Sequence, residues 1–140
     1  EVAPKFAEAD AFVIGSPVYF ASPAGGAVAF LDRLFFSTLN VDKTMKVGAA
    51  VVSCRRGGNT ATFDMLNKYF TMTGMPVVSS QYWNMVYGGS PEEVLQDEEG
   101  LQTMRTLGRN MAFLMKSIQL GKQQIGLPKK EPQVFTNFHR

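Results

Sequence analysis

Thiol chemistry is nearly missing from this sequence. One cysteine, Cys54, in 140 residues excludes an internal disulfide framework and makes a reducing compartment, the cytoplasm, the expected setting. Histidine is as scarce: His139 stands alone in the C-terminal stretch, with no ligand partner nearby, and is assigned no role. Charge of one sign is lacking too. Fourteen basic residues face twelve acidic ones, for a net charge of +2, and the basic ones are too scattered to suggest nucleic-acid binding. No segment approaches the length of a membrane span, and no signal-peptide pattern stands at the start. Internal repeats and low-complexity tracts are absent as well. A hydrophobic fraction of 45% with 19% charged residues then describes one globular domain with a real core.

Within that domain, short apolar runs alternate with helical periodicity. Ala11–Ile14 is β-branched and aromatic, and it ends in Gly15-Ser16-Pro17, so it reads as a buried strand whose pairing stops near the proline. Residues from about 26 to 39 carry Ala27, Leu31, Leu34, Phe35 and Thr38 at helical spacing. Val47–Ser53 is a second buried strand, and 60–73 is the next helix, with Gly74 as its cap. Met75–Ser80 reads as a third strand, extending toward Met85. Ser90-Pro91-Glu92-Glu93 is a helix start, and an apolar stripe from Leu101 to Ile118 carries that helix to Gly121. Met104, Met111 and Met115 lie at helical spacing and read as core or interface filler. Glu1 is not a methionine and 1–10 reads as the tail of a helix, so the chain is expected to begin in mid-fold. Strands alternating with helices imply a parallel α/β sheet over 1–121, with 122–140 as an extended tail.

In such sheets ligands bind beyond the carboxyl ends of the strands. Three strand-end loops would meet there: Ser16–Gly26 with Tyr19 and Phe20, Cys54–Asn59 with two arginines and two glycines, and the aromatic Tyr82–Gly89 with Asn84. Aromatics from one loop, backbone amides from another and a third aromatic loop describe a site for a planar heterocycle. No loop supplies a nucleophile with its base, or a metal cluster, so no catalytic side chain is assigned and the chemistry falls to a cofactor. Cys54 has no partner thiol and reads as a small loop residue.

These residues resemble a known family. Gly15-Ser-Pro-Val-Tyr-Phe20 with the Phe30-Leu-Asp-Arg33 helix, the Gly48–Gly58 strand and loop, and Tyr82-Trp-Asn84 with the following helix are similar to the flavodoxin-like, NAD(P)H-dependent FMN reductases, including relatives of the iron–sulfur flavoproteins. The resemblance implies a flavodoxin-like three-layer α/β/α fold lacking its N-terminal strands and the loop that holds the FMN phosphate. It implies FMN as cofactor, NAD(P)H as co-substrate, a small-molecule electron acceptor and a homodimer. It sets Ser16, Pro17, Val18, Tyr19 and Phe20 against the isoalloxazine ring, and Ser53, Cys54, Arg55, Arg56, Gly57 and Gly58 at its pyrimidine edge. Trp83 and Asn84 become the candidate substrate contacts. Ser53–Thr60 also follows a strand and opens a helix, as a phosphate loop does, although the family's own phosphate loop follows the first strand. The rival reading is a flavodoxin-type electron carrier or flavin-binding module without nicotinamide activity; a purely structural piece is a third.

Overall fold

The structure, a computed structural model, describes residues 1–138. His139 and Arg140 lie outside the described residues. Helix α1 (Val2–Glu8) leads into strand β1 (Ala11–Tyr19), which turns tightly into β2 (Ser22–Pro23). Helix α2 (Gly25–Ser37), strand β3 (Val47–Cys54), helix α3 (Asn59–Met72) and strand β4 (Met85–Tyr87) follow. Two helices, α4 (Pro91–Val94) and α5 (Glu98–Ile125), complete the chain. The sheet runs β2-β1-β3-β4, with β1, β3 and β4 parallel and β2 antiparallel.

Strand β3 is central, and its composition explains why both faces close on it. Gly48, Ala49 and Ala50 are small and fully buried. On one face Phe6, Leu31, Leu34, Phe35, Leu66 and Phe70 from the first three helices form the larger core. Its rings meet edge-on or tilted, as in Phe6–Phe12 at 5.3 Å and Phe35–Phe70 at 6.3 Å between centroids. On the other face Val47, Ala49 and Val78 pack with Leu107, Met111, Leu114 and Ile118 of α5. The apolar stripe read in the sequence is thus the inner face of α5.

Four expectations are corrected. First, β1 does not stop at Pro17, which pairs in register with Ser53. Val47 N–H donates to the Asp10 carbonyl at 2.9 Å, so even-numbered residues of β1 turn their backbone groups toward β3. Pro17 faces the outer edge, where its missing N–H costs no ladder bond. Second, the third strand is split. Val77 bridges Gly48, and pairing resumes only at Met85 opposite Val52. Eight residues therefore span what β3 covers in four, and the surplus loops out as 79–84. Third, the helix expected from Ser90 onward breaks. Ser90 caps only the short α4, and Asp97 caps α5 by accepting from Gly100 N–H at 2.9 Å. Fourth, α5 runs through Gly121 to Ile125 and ends where Gly126 takes φ 76°. The expected tail therefore begins at 126, four residues later than 122, and its residues are exposed. Among the described residues no helix is long and apolar enough to cross a membrane.

Phe70 fixes how closely α3 approaches the sheet. A Cβ at Gly48 would lie 2.6 Å from the Phe70 ring, which has no exposed surface. Gly48→Ala is expected to destabilise the fold by about 1–3 kcal/mol through overpacking, read as a lowered urea midpoint. The same substitution at Gly108, with nothing within 4 Å of a new Cβ, should not lower it.

Candidate functional site

The carboxyl ends of β1, β3 and β4 form a continuous rim. Parallel pairing delivers Pro17 beside Ser53, and Cys54 beside Tyr87. Just beyond β1 the chain reverses in two residues, because Val18 pairs with Pro23 and Tyr19 with Ser22. The two turn residues are Phe20 at φ 50° and Ala21 at φ 58°. Such hairpins favour Asn-Gly, because each ordinary side chain in the left-handed region costs about 1–2 kcal/mol. Phe20 is also wholly exposed. The sequence thus spends stability to present an aromatic ring at the rim.

Packing holds this turn in place. Gly58 sits at φ 84°, where a Cβ would fall 2.9 Å from Ala21 Cα and 3.0 Å from a Val18 methyl. A side chain there would drive the hairpin off the 54–58 loop, so glycine is required on both counts. Behind the hairpin Ser16 is buried, and its Oγ accepts from Ala24 N–H at 2.9 Å. The third member of the rim joins through Gly88 N–H, which donates to the Cys54 carbonyl at 3.1 Å.

The expected cofactor residues therefore divide by position. Pro17, Tyr19, Phe20, Arg55, Arg56 and Gly57 are exposed at the rim, while Val18, Ser53 and Gly58 are half-buried beneath it. Ser16 and Cys54 are buried and act from inside. Burial pushes the Cys54 thiol up from its ordinary pKa, against a smaller opposing contribution from the Arg56 backbone. Neither Arg55 nor Arg56 has an ion-pair partner among the described residues. Gly57 has open space on its Cβ side, with nothing within 4 Å. Helix α3 starts just beyond with no side-chain cap, leaving first-turn N–H groups that suit an electron-rich edge.

Trp83 and Asn84 are not brought to this rim. They belong to the 79–84 excursion, two and one residues before Met85, which pairs with Val52 below the strand end. Asn84 is buried, its Nδ2 donates to the Val78 carbonyl at 3.4 Å, and its Oδ1 has no partner. It braces the base of the excursion from inside. Trp83 is half-exposed on the outer edge of β4. Sequence reasoning missed Asn59, whose Nδ2 donates to Tyr87 Oη at 2.5 Å and lies 3.0 Å from Met85 Sδ. That contact ties the start of α3 to β4 beneath the rim. The signal was an amide directly after paired glycines, a position that fits a helix start as well as a site.

Two measurements check this description. Phe20→Asn with Ala21→Gly should raise stability by about 2 kcal/mol, since it supplies residues suited to the turn; a lower urea midpoint would mean the turn is not strained. Cys54, favoured as the neutral thiol, should resist iodoacetamide at pH 8 in the folded protein and react once urea is added.

Comparison with known proteins accords with this geometry. The sequence profile of the NADPH-dependent FMN reductases matches residues 1–89. An iron–sulfur flavoprotein of Methanocaldococcus jannaschii is 32% identical over 126 residues, covering 85% of this chain and 65% of that protein. The iron–sulfur flavoprotein of Methanosarcina thermophila is 28% identical over 130 residues, covering 89% and 65%. The chain thus spans just under two thirds of the curated relatives it matches. Among solved structures, a flavodoxin, WrbA-like protein of Agrobacterium tumefaciens superposes with a TM-score of 0.62 at 22% identity, covering 79% of this chain and 69% of that one. A flavodoxin from the Archaea gives 0.56 at 19% identity, covering 81% and 71%. The α/β fold is flavodoxin-like, and by its sequence the chain belongs to the NADPH-dependent FMN reductase family.

Proposed function

We propose that this chain is the ring-binding part of an FMN-dependent oxidoreductase. It would take reducing equivalents from NAD(P)H and pass them to a small-molecule acceptor such as a quinone, a nitro or azo compound, free flavin or a metal centre. The observation that carries the reading is the contact between the strained Tyr19–Ser22 turn and Gly58, in a chain whose first 89 residues match an FMN reductase profile.

The rim suits a flat heterocycle. Exposed Tyr19 and Phe20 provide apolar walls, and the open side of Gly57 lets a ring approach the backbone. Arg55, Arg56 and the uncapped first turn of α3 provide positive potential for the ring's electron-rich edge. Bound FMN supplies the redox chemistry, hydride from a nicotinamide in and electrons to an acceptor out. The chain's own residues hold the ring, exclude water from its apolar side and set its polar surroundings. Cys54, buried and protonated, shapes the loop and takes no part in electron transfer.

A second reading is an electron-carrying flavin module with no nicotinamide activity, and the two iron–sulfur flavoprotein relatives favour it. Both readings fit a cytoplasmic protein. A homodimer also fits, because Phe113 and Leu120 on α5 and Val134, Phe135 and Phe138 beyond it are exposed; sedimentation at micromolar concentration should show twice the chain mass.

The intact protein should purify yellow, or bind added FMN with quenching of flavin fluorescence. Tyr19→Ala combined with Gly57→Val should remove the flavin while leaving the circular dichroism unchanged. Anaerobic NADPH should then bleach the wild-type flavin. A bleach by dithionite alone selects the electron-carrier reading, and a colourless protein that ignores FMN rejects both.

A further inference from the structure

Next to the rim, a second concave site lies along the outer edge of β4, where the excursion 79–84 leans on α5. Its cavity of about 270 Å³ is lined by Tyr82, Trp83, Tyr87, Asp97, Glu99 and Thr103, among others. Three aromatic side chains there stay 42–58% exposed, and the Tyr82 and Trp83 rings meet at 5.2 Å.

The excursion that carries them is firmly held. Ser80 Oγ donates to the Thr103 carbonyl at 2.7 Å, and Thr106 Oγ1 donates to Gln81 Oε1 at 2.6 Å. Asn110 Nδ2 donates to the Ser79 carbonyl at 2.8 Å. The rings are therefore displayed on a braced loop.

Charge supplies the second observation. From Tyr69 to Met104 the sequence has no lysine, arginine or histidine, yet it carries Glu92, Glu93, Asp97, Glu98 and Glu99. In a chain of net charge +2 this stretch carries only negative charge, although Arg55 of the neighbouring loop lies close to Gly89 within it, and two of its carboxylates line the cavity. Asp97 is fixed by the N–H groups of Tyr87 and Gly100 at 2.7 and 2.9 Å, while Glu99 is exposed with no ion-pair partner among the described residues. Aromatic faces beside carboxylates attract a cation whose charge is spread out or wrapped in alkyl groups. A metal ion is a poorer match, since among the described residues no group of three or more acidic, histidine or cysteine side chains could hold one.

We infer that the β4-edge cavity formed by Tyr82, Trp83, Tyr87, Asp97 and Glu99 binds a small organic cation of the N-alkylpyridinium or quaternary ammonium class. The site meets the rim at Tyr87, which pairs with Cys54, while its other lining residues lie on the excursion and on α5; cation binding is therefore read both with and without FMN.

Trp83 is the only tryptophan, so the chain carries its own reporter. Titrating it with 1-methylnicotinamide should quench Trp83 emission saturably, with and without FMN present. Neutral nicotinamide should bind at least roughly tenfold more weakly, the scale of one or two cation–aromatic contacts. Tetramethylammonium should compete and restore the emission. Glu99→Gln, a surface change that leaves Trp83 in place, should weaken binding about fivefold, and Tyr82→Ala should weaken it further. Linear quenching equal in folded and urea-unfolded protein overturns the inference. So does equal affinity for charged and neutral nicotinamide, or binding of an oligolysine peptide without any response to 1-methylnicotinamide.

Discussion

The ring of Phe70 lying over Gly48 sets the geometry of this domain. Because Gly48, Ala49 and Ala50 leave little bulk on β3, α3 can settle onto one face while α5 covers the other. Both cores of the molecule therefore share one strand. β3 also carries neighbours along both edges, with Ala11–Pro17 on one side and Val77 and Met85–Tyr87 on the other. The position of its last residue, Cys54, consequently decides where three loops end. Packing at one end of the strand aligns the candidate site at the other.

At that rim, stability runs against local preference. Phe20 and Ala21 occupy left-handed backbone without glycine's freedom. They keep it because Val18 and Ala21 press on Gly58 and because Ser16 holds the returning chain at Ala24. Strain that the surroundings over-determine is the kind that accompanies binding sites. Here it coincides with the wholly exposed ring of Phe20 and with the loop whose two arginines have no ion-pair partner among the described residues, which is why the rim, and not the larger cavity beside Lys46, Lys116 and Lys122 at the opposite end of β3, carries the functional reading.

The sequence made most of the architecture legible. Runs such as Val47–Ser53 and stripes such as Leu101–Ile118 are dictated by burial, and burial is a pattern of residue types. The second candidate loop was legible because Arg-Gly-Gly marks the end of β3, whereas Gly-Ser-Pro lies inside β1 and only points toward the turn that follows at Phe20. What escaped depended on partners distant in sequence. Pro17 reads as a stop because its harmlessness depends on which edge its nitrogen faces, a matter of register with β3. The split of the third strand is invisible because Pro76–Val78 and Met85–Tyr87 are both good strand residues, and only the four-residue span between Gly48 and Val52 shows that the stretch between them cannot pair. Asn84 looked like a rim residue for the same reason. The Phe20–Ala21 turn could not be read at all, since those residues argue against the conformation they adopt.

The two edges of the sheet are finished differently, and register explains how. Along β4 the edge is closed by side chains: Asp97 accepts the Tyr87 N–H, and the 79–84 excursion is pinned to α5. Along β1 the outward N–H groups are those of Ala11, Val13 and Gly15, followed by Pro17, which has none. Above Pro17 the ladder passes to β2, pairing at Val18 and Tyr19. Below it Val13 is 48% exposed, so both the backbone edge and one apolar side chain are open to a further strand. Pro17 therefore works as a divider. Pairing from outside can run along Ala11–Gly15 but cannot continue into the hairpin, so the turn that presents Phe20 keeps its geometry whatever lies against the rest of the edge.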